Sequence, residues 1–269
     1  MRMLKDRKGK ADLDQMSFIE HLEELRWRLI RSAIAVILIG IVIWTFQEWI
    51  MNNVFMSMKK KDFFSFRIMC HYLGTCVEDI PVQLQSMTVS GQFGYALMMS
   101  FMGGLVVGFP FIFYQMWAFL KPGLKVGEKK MAKGIVFYVS MLFFFGISFG
   151  YFVVAPLSIQ FFGSYQISSE IRNDFTISSY MSMILSTVFY TGLFFLLPVV
   201  SYLMTRIGLL NPEFLIKYRK HAIVGILILS AIITPPDIIS QVIVSIPIFI
   251  LYEIGILISK RVAKNSEDE

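Results

Sequence analysis

The chain has 269 residues, 56% of them hydrophobic and 16% charged, with a formal net charge of +6. An average soluble domain carries roughly 25% charged residues, so this chain is too poor in charge to clothe a soluble fold of its length. A cytosolic enzyme, a disordered chain and a nucleic-acid-binding module are excluded, no nucleic-acid partner is expected, and a polytopic membrane protein in a lipid bilayer is indicated.

In chain order, Arg2, Lys5, Arg7, Lys8 and Lys10 precede Asp12 and Asp14 with no apolar stretch beside them, so no cleavable signal peptide is expected. Ser17-Phe18-Ile19-Glu20 forms a capping box that starts a helix. Phe18, Leu22, Leu25 and Leu29 share one helical face, with Glu20, Glu24 and Arg28 on the other side. The spacing predicts an amphipathic helix lying on the membrane surface within residues 1–31. From pattern alone, Glu24 is an i,i+4 partner of Arg28, worth only ~0.3–0.5 kcal/mol.

Uncharged runs then mark six spans. They cover Ser32 to Gln47, Ile80 to Leu120, Gly134 to Ser169, Phe175 to Thr205, Ala222 to Pro236 and Ile238 to Ser259. The last contains one charge, Glu253. Crossing the bilayer takes about 20 apolar residues. The uninterrupted part of the fifth run, Ala222 to Ile233, would make roughly 18 Å of helix. Thr234-Pro235-Pro236-Asp237 follows as a sharp turn, so residues 222–259 are expected to form a short helical hairpin. Pro110, Pro156, Pro198 and Pro247 sit inside apolar helix and predict bends. Gly104-x-x-x-Gly108 and Gly146-x-x-x-Gly150 fit close helix contacts.

Orientation follows from Lys and Arg. Twenty of the 25 fall in residues 1–31, 121–133, 205–221 and 260–269. The positive-inside rule therefore places both termini and the loops 121–133 and 205–221 in the cytoplasm, and 48–79 outside. Cys70 and Cys76 lie in that external loop, where oxidising conditions permit a structural disulfide, the alternative being two free thiols. Lys59-Lys60-Lys61 in the same loop reads as a solvated charge cluster.

Catalytic signals are weak. Gly146-Ile147-Ser148-Phe149-Gly150 matches a nucleophile elbow, but it lies in a helical apolar run and no base shares its depth, since His21, His71 and His221 fall outside the spans. Two cysteines cannot build a zinc framework, and no phosphate or dinucleotide fingerprint appears, so no catalytic residue, metal or cofactor is expected.

His21-Leu22-Glu23-Glu24-Leu25-Arg26-Trp27-Arg28-Leu29 resembles the amino-terminal motif of the TatC family, the multi-spanning subunit of the twin-arginine translocase. Phe109-Pro110-Phe111, Tyr114-Gln115-x-Trp117-x-Phe119-x-x-Pro122-Gly123-Leu124 and Glu128 resemble the end of its second helix and first cytoplasmic loop. Thr234-Pro235-Pro236-Asp237, Ser240-Gln241 and Tyr252-Glu253-Ile254-Gly255 resemble its last hairpin.

The resemblance implies an all-α, six-span, bent and concave bundle in the bacterial inner membrane. It implies a non-enzymatic receptor for twin-arginine signal peptides and a translocase core driven by the proton motive force. Glu24 and Glu128 are the implied receivers of the arginine pair, with Phe119 and Arg26 beside them. Thr234, Gln241, Asp237 and Glu253 are the implied contacts of a single-span TatA/TatB-type partner, and self-association is expected. The fourth span departs from the family: Phe194-Phe195-Leu196-Leu197-Pro198 lacks the usual acid or amide before the proline. A secondary transporter for a small solute is the alternative. It is disfavoured because the second, third and fourth spans carry no charge through which to couple.

Overall fold

The computed structural model describes residues 18–267 apart from 75, 77–79, 81–82, 121–133, 169, 172, 207 and 235–237. The order is α1 (Phe18–Thr45), a helical turn (Gln47–Ile50) running through a π turn (Met51–Phe55) and a 3-10 turn (Met56–Lys59), α2 (Phe64–Leu73), β1 (Leu84–Gln85) and α3 (Gly91–Leu120). Then come α4 (Ile135–Phe149), a second π turn (Gly150–Val154), α5 (Ala155–Ser164), β2 (Phe175–Thr176) and α6 (Ile177–Phe194). The chain closes with α7 (Leu197–Arg206), α8 (Pro212–Lys217), α9 (Arg219–Ile233) and α10 (Ile238–Glu267).

Among the described residues, five stretches are long and apolar enough to cross a membrane: Glu20–Thr45, Gly91–Leu120, Ile135–Ser164, Ile177–Arg206 and Ser240–Ala263. Their outward faces carry large apolar side chains such as Ile37, Leu38, Phe101 and Phe145, which is what a lipid-facing helix needs and a soluble one avoids. Helix α9 has 15 residues, roughly 22 Å, short of a ~30 Å hydrocarbon core.

Three expectations need correction. The amphipathic segment is not a separate surface helix. It is the first turns of α1, which runs unbroken to Thr45. The hairpin is short in one arm only, because α10 extends for 30 residues to Glu267. The segment between α1 and α3 is not a plain loop but the helical turns, α2 and β1 described above.

That segment has a core of its own. Phe55, Met58, Phe63, Phe66 and Ile80 pack with Met99 of α3, Ala155 and Ile159 of α5, and Tyr180, Met181 and Ile184 of α6. The π turn leaves carbonyls to be satisfied. Tyr180 Oη donates to Phe55 O at 2.6 Å and Tyr151 Oη to Val54 O at 2.9 Å. β1 pairs in parallel with β2, Leu84 against Phe175 and Gln85 against Thr176. Cys70 and Cys76 are joined by a disulfide across the end of α2, where Gly74 adopts a left-handed φ of 67° that a glycine takes without strain.

Proline and glycine set the span geometry. Pro156 is the second residue of α5, directly after the second π turn, and Pro198 the second of α7, after the break at Phe195-Leu196. Pro110 and Pro247 lie inside continuous helices. Pro156 cannot donate to the carbonyl four residues back, Phe152 O; Ser65 of α2 donates to it instead. At Gly104 an added Cβ would fall 2.6 Å from Val36 O of α1, and at Gly150 one would fall 2.9 Å from Val188 Cα of α6. Both glycine motifs therefore mark helix crossings where backbones touch.

Candidate functional site

Of the residues expected to meet the signal peptide, Glu24 and Arg26 lie near the start of α1 and Phe119 at the end of α3. The two helices pack side by side because Gly40 and Gly104 bring their backbones together. This register sets residue 28 of α1 opposite residue 115 of α3. His21 stacks on Phe119, with ring centroids 4.2 Å apart and planes 17° apart. Behind it Trp117, 6% exposed, stacks with Phe113, and Phe109 stacks on Phe143 of α4 at 3.8 Å. An aromatic column thus backs the mouth.

Glu24 sits one turn after His21. Arg28 offers two of its nitrogens to a single carboxylate oxygen, Glu24 Oε1, with Nε at 2.9 Å and Nη2 also donating. Arg28 Nη1 reaches the buried Gln115 Oε1 at 3.4 Å. The other carboxylate oxygen, Glu24 Oε2, is buried and has no hydrogen-bond partner among the described residues. A groove of about 460 Å³ opens here, lined by Glu24, Trp27, Arg28 and Arg31. Glu23 and Arg26 are exposed. Glu128 lies outside the described residues.

The hairpin residues do not form one cluster. Thr234, 6% exposed, donates to Ser230 O at 2.7 Å at the end of α9, so this implied partner contact is a buried hydroxyl already bonded to its own helix. Gln241 Nε2 donates to Leu227 O at 3.1 Å, bridging α10 to α9 near the turn. Asp237 lies outside the described residues. Glu253 is 12 residues beyond Gln241, about 18 Å along α10. It pairs with Arg219 at the start of α9, Nη2 to Oε2 at 2.9 Å and Nε to Oε1 at 2.8 Å. It therefore serves the opposite end of the hairpin from Thr234.

Sequence reasoning missed several residues. Gln115 was visible only as part of a motif, and its contact with Arg28 spans 87 positions. His21 gave no signal of its stacking partner. Thr187, 3% exposed, donates to Ile233 O at 3.4 Å and joins α6 to the end of α9; Thr191, 0% exposed, lies one turn on. These hydroxyls are among the buried polar groups of a span that lacks an acid or amide. Ser148, in the apparent nucleophile motif, donates to Phe144 O within its helix at 2.8 Å. Among the described residues no cluster of three His, Cys, Asp or Glu could hold a metal.

Such an assembly of apolar spans around a charged, aromatic mouth defines a multi-pass helical membrane protein. The family model described as Sec-independent protein translocase protein (TatC) matches residues 20–247. The Sec-independent protein translocase protein TatC of Blattabacterium sp. subsp. Periplaneta americana (strain BPLAN) is 38% identical over 264 residues, covering 95% of this chain and 99% of that protein. TatCy of Bacillus subtilis (strain 168) is 31% identical over 258 residues, covering 96% and 94%. A crystal structure of the twin-arginine translocase receptor TatC superposes with a TM-score of 0.68 at 29% identity, covering 91% of this chain and all of that one. The chain belongs to the TatC family and is a subunit of the Sec-independent protein translocase.

Proposed function

We propose that this subunit is the receptor for twin-arginine signal peptides and the core of a translocase that exports folded proteins across the bacterial inner membrane. The observation that carries the reading is Glu24: its side chain lines an open groove, and its carboxylate already holds one guanidinium, that of Arg28, through a single oxygen. A carboxylate in this state meets an incoming guanidinium with charge-assisted hydrogen bonds, each worth roughly 1.5–3 kcal/mol. Two adjacent arginines need two carboxylates, and Glu128, in the loop after α3, is the second. Phe119 and Arg26 are the further residues proposed to meet the peptide.

The distribution of lysine and arginine supports cytoplasmic termini and six spans, with the mouth on the cytoplasmic side where an unexported signal peptide arrives. Single-span TatA/TatB-type partners dock at the turn between α9 and α10 through Gln241, and the proton motive force drives transport. The test is photo-crosslinking of a twin-arginine peptide in native membranes. Glu24→Ala and Glu128→Ala are each expected to lower crosslinking by about tenfold to a hundredfold, the equivalent of one charge-assisted hydrogen bond, while the protein still inserts. Wild-type crosslinking by the double variant would overturn the reading. Cysteines placed in 121–133 should resist an impermeant thiol reagent in intact cells; labelling there would overturn the orientation.

A further inference from the structure

We propose that Arg28 is a built-in competitor for the signal peptide's guanidinium groups, occupying Glu24 in the empty receptor and setting the affinity a peptide must exceed. The inference rests on Glu24 being the receiving carboxylate proposed above.

Arg28 presents to Glu24 what a peptide arginine would present: a planar guanidinium offering two nitrogens to one carboxylate oxygen. The pair is not a solvated surface bridge. The side chains are only 18% (Arg28) and 23% (Glu24) exposed, and both line the groove by which a ligand arrives. Arg28 also has somewhere to go. Gln115 Oε1, fixed by burial on α3, lies 3.4 Å from Nη1 and is a neutral acceptor that can keep the guanidinium hydrogen-bonded once Glu24 is taken. The backbone beneath is held, because Ser32 Oγ donates to Arg28 O at 3.0 Å. Exchange therefore needs only side-chain rotation.

When the competent form of a site is partly populated, apparent affinity falls by that fraction. A partly buried i,i+4 pair lowers it by about two- to fivefold. The factor is the same for every cationic ligand, so Arg28 raises the threshold without changing the preference for arginine over lysine. That preference belongs to the fork geometry of the carboxylates.

The test uses the full chain in lipid nanodiscs, titrated with a fluorescent twin-arginine peptide and its twin-lysine counterpart. Arg28→Gln should tighten both by about two- to fivefold, leaving their ratio unchanged. Arg28→Lys keeps the charge but loses the fork, and should tighten both by a smaller factor. If Arg28→Gln binds as wild type or more weakly, with unchanged thermal stability, the proposal is overturned. It is also overturned if Arg28→Lys leaves affinity unmoved, since net charge would then explain the gain. Glu24→Gln separates the two readings. Full binding by that variant refutes the receptor assignment itself, whereas lost binding together with an inert Arg28→Gln refutes only the competitor.

Discussion

His21 at the start of α1 lies flat against Phe119 at the end of α3, centroids 4.2 Å apart, and so closes the α1–α3 pair at the end that carries Glu24. The two rings come from segments 98 positions apart, and the stack locates Glu24 relative to the chain that leads toward Glu128. A stacked pair of this kind contributes roughly 0.5–1.5 kcal/mol beyond the area it buries.

If that stack positions the mouth, His21→Ala and Phe119→Ala should each weaken twin-arginine crosslinking by about three- to tenfold, and the double variant should be little worse than either, because one contact is lost in all three. Additive losses would show that the two rings act separately. Phe119→Leu keeps apolar volume but not the flat face, and should fall between wild type and Phe119→Ala.

The α1–α3 crossing offers a test of packing that does not depend on function. A Cβ at Gly104 would sit 2.6 Å from a backbone oxygen, which has no rotamer to escape by. Gly104→Ala should therefore cost about 1–3 kcal/mol by overpacking, seen as a lower melting temperature in detergent. Gly94 lies near the start of the same helix, and nothing within 4 Å would meet its Cβ. Gly94→Ala should be neutral or slightly stabilising. Equal behaviour of the two variants would contradict the crossing.

The segment between α1 and α3 depends on hydroxyls that satisfy backbone carbonyls. Tyr180, 1% exposed, donates to Phe55 O at the end of the π turn. Tyr180→Phe keeps the ring and removes the donor, leaving a buried carbonyl without its partner at a cost of about 1–3 kcal/mol. Amide exchange in residues 51–59 should rise selectively, with α9 and α10 unaffected. A uniform rise would mean that the whole fold had loosened instead.

Much of this architecture is legible in the sequence, and the misses have physical reasons. The long apolar runs and both glycine motifs can be read locally, because a span is defined by its own composition and a small residue by its own volume. Arg26, Arg28 and Arg31 suggest a boundary before the first span, yet nothing between Glu20 and Thr45 breaks a helix. Twenty-six residues make about 39 Å, enough to carry those charges past the hydrocarbon core. Phe55, Met58, Phe63 and Phe66 read as loop residues among charges because the faces that bury them, on α5 and α6, are about a hundred positions away. The Arg28–Gln115 contact is hidden for the same reason.

The far end of the hairpin is fastened separately. Arg219 and Glu253 pair through two contacts, and Tyr252 donates to Leu215 O at 2.7 Å, so α8, α9 and α10 are tied together there. With a third or more of each charged side chain exposed, the ion pair should contribute no more than about 1 kcal/mol. Glu253→Gln should thus lower thermal stability modestly and leave partner copurification intact. The exchange Arg219→Glu with Glu253→Arg should recover most of the loss. A collapse of partner binding on Glu253→Gln alone would instead assign this residue to the partner surface.

The turn between α9 and α10 separates a structural hydroxyl from an available amide. Thr234 is buried with its hydroxyl bonded to Ser230 O, so Thr234→Val should act on folding, costing about 1 kcal/mol, the net worth of one hydrogen bond. Gln241 is half-buried and donates its amide nitrogen to Leu227 O beside a helix too short for the bilayer, and its Oε1 is the acceptor proposed for the partner. Hydrogen bonds between spans are worth about 0.6–2 kcal/mol, so Gln241→Leu should reduce copurification of a single-span partner by about three- to thirtyfold. Gln241→Glu keeps the acceptor and should retain more of the partner than Gln241→Leu does. Quantitative pull-downs from native membranes, normalised to inserted protein, decide it. Undiminished partner recovery with Gln241→Leu would move the docking site away from this turn, whereas equal losses from Thr234→Val and Gln241→Leu would show that both act only through the fold of the hairpin.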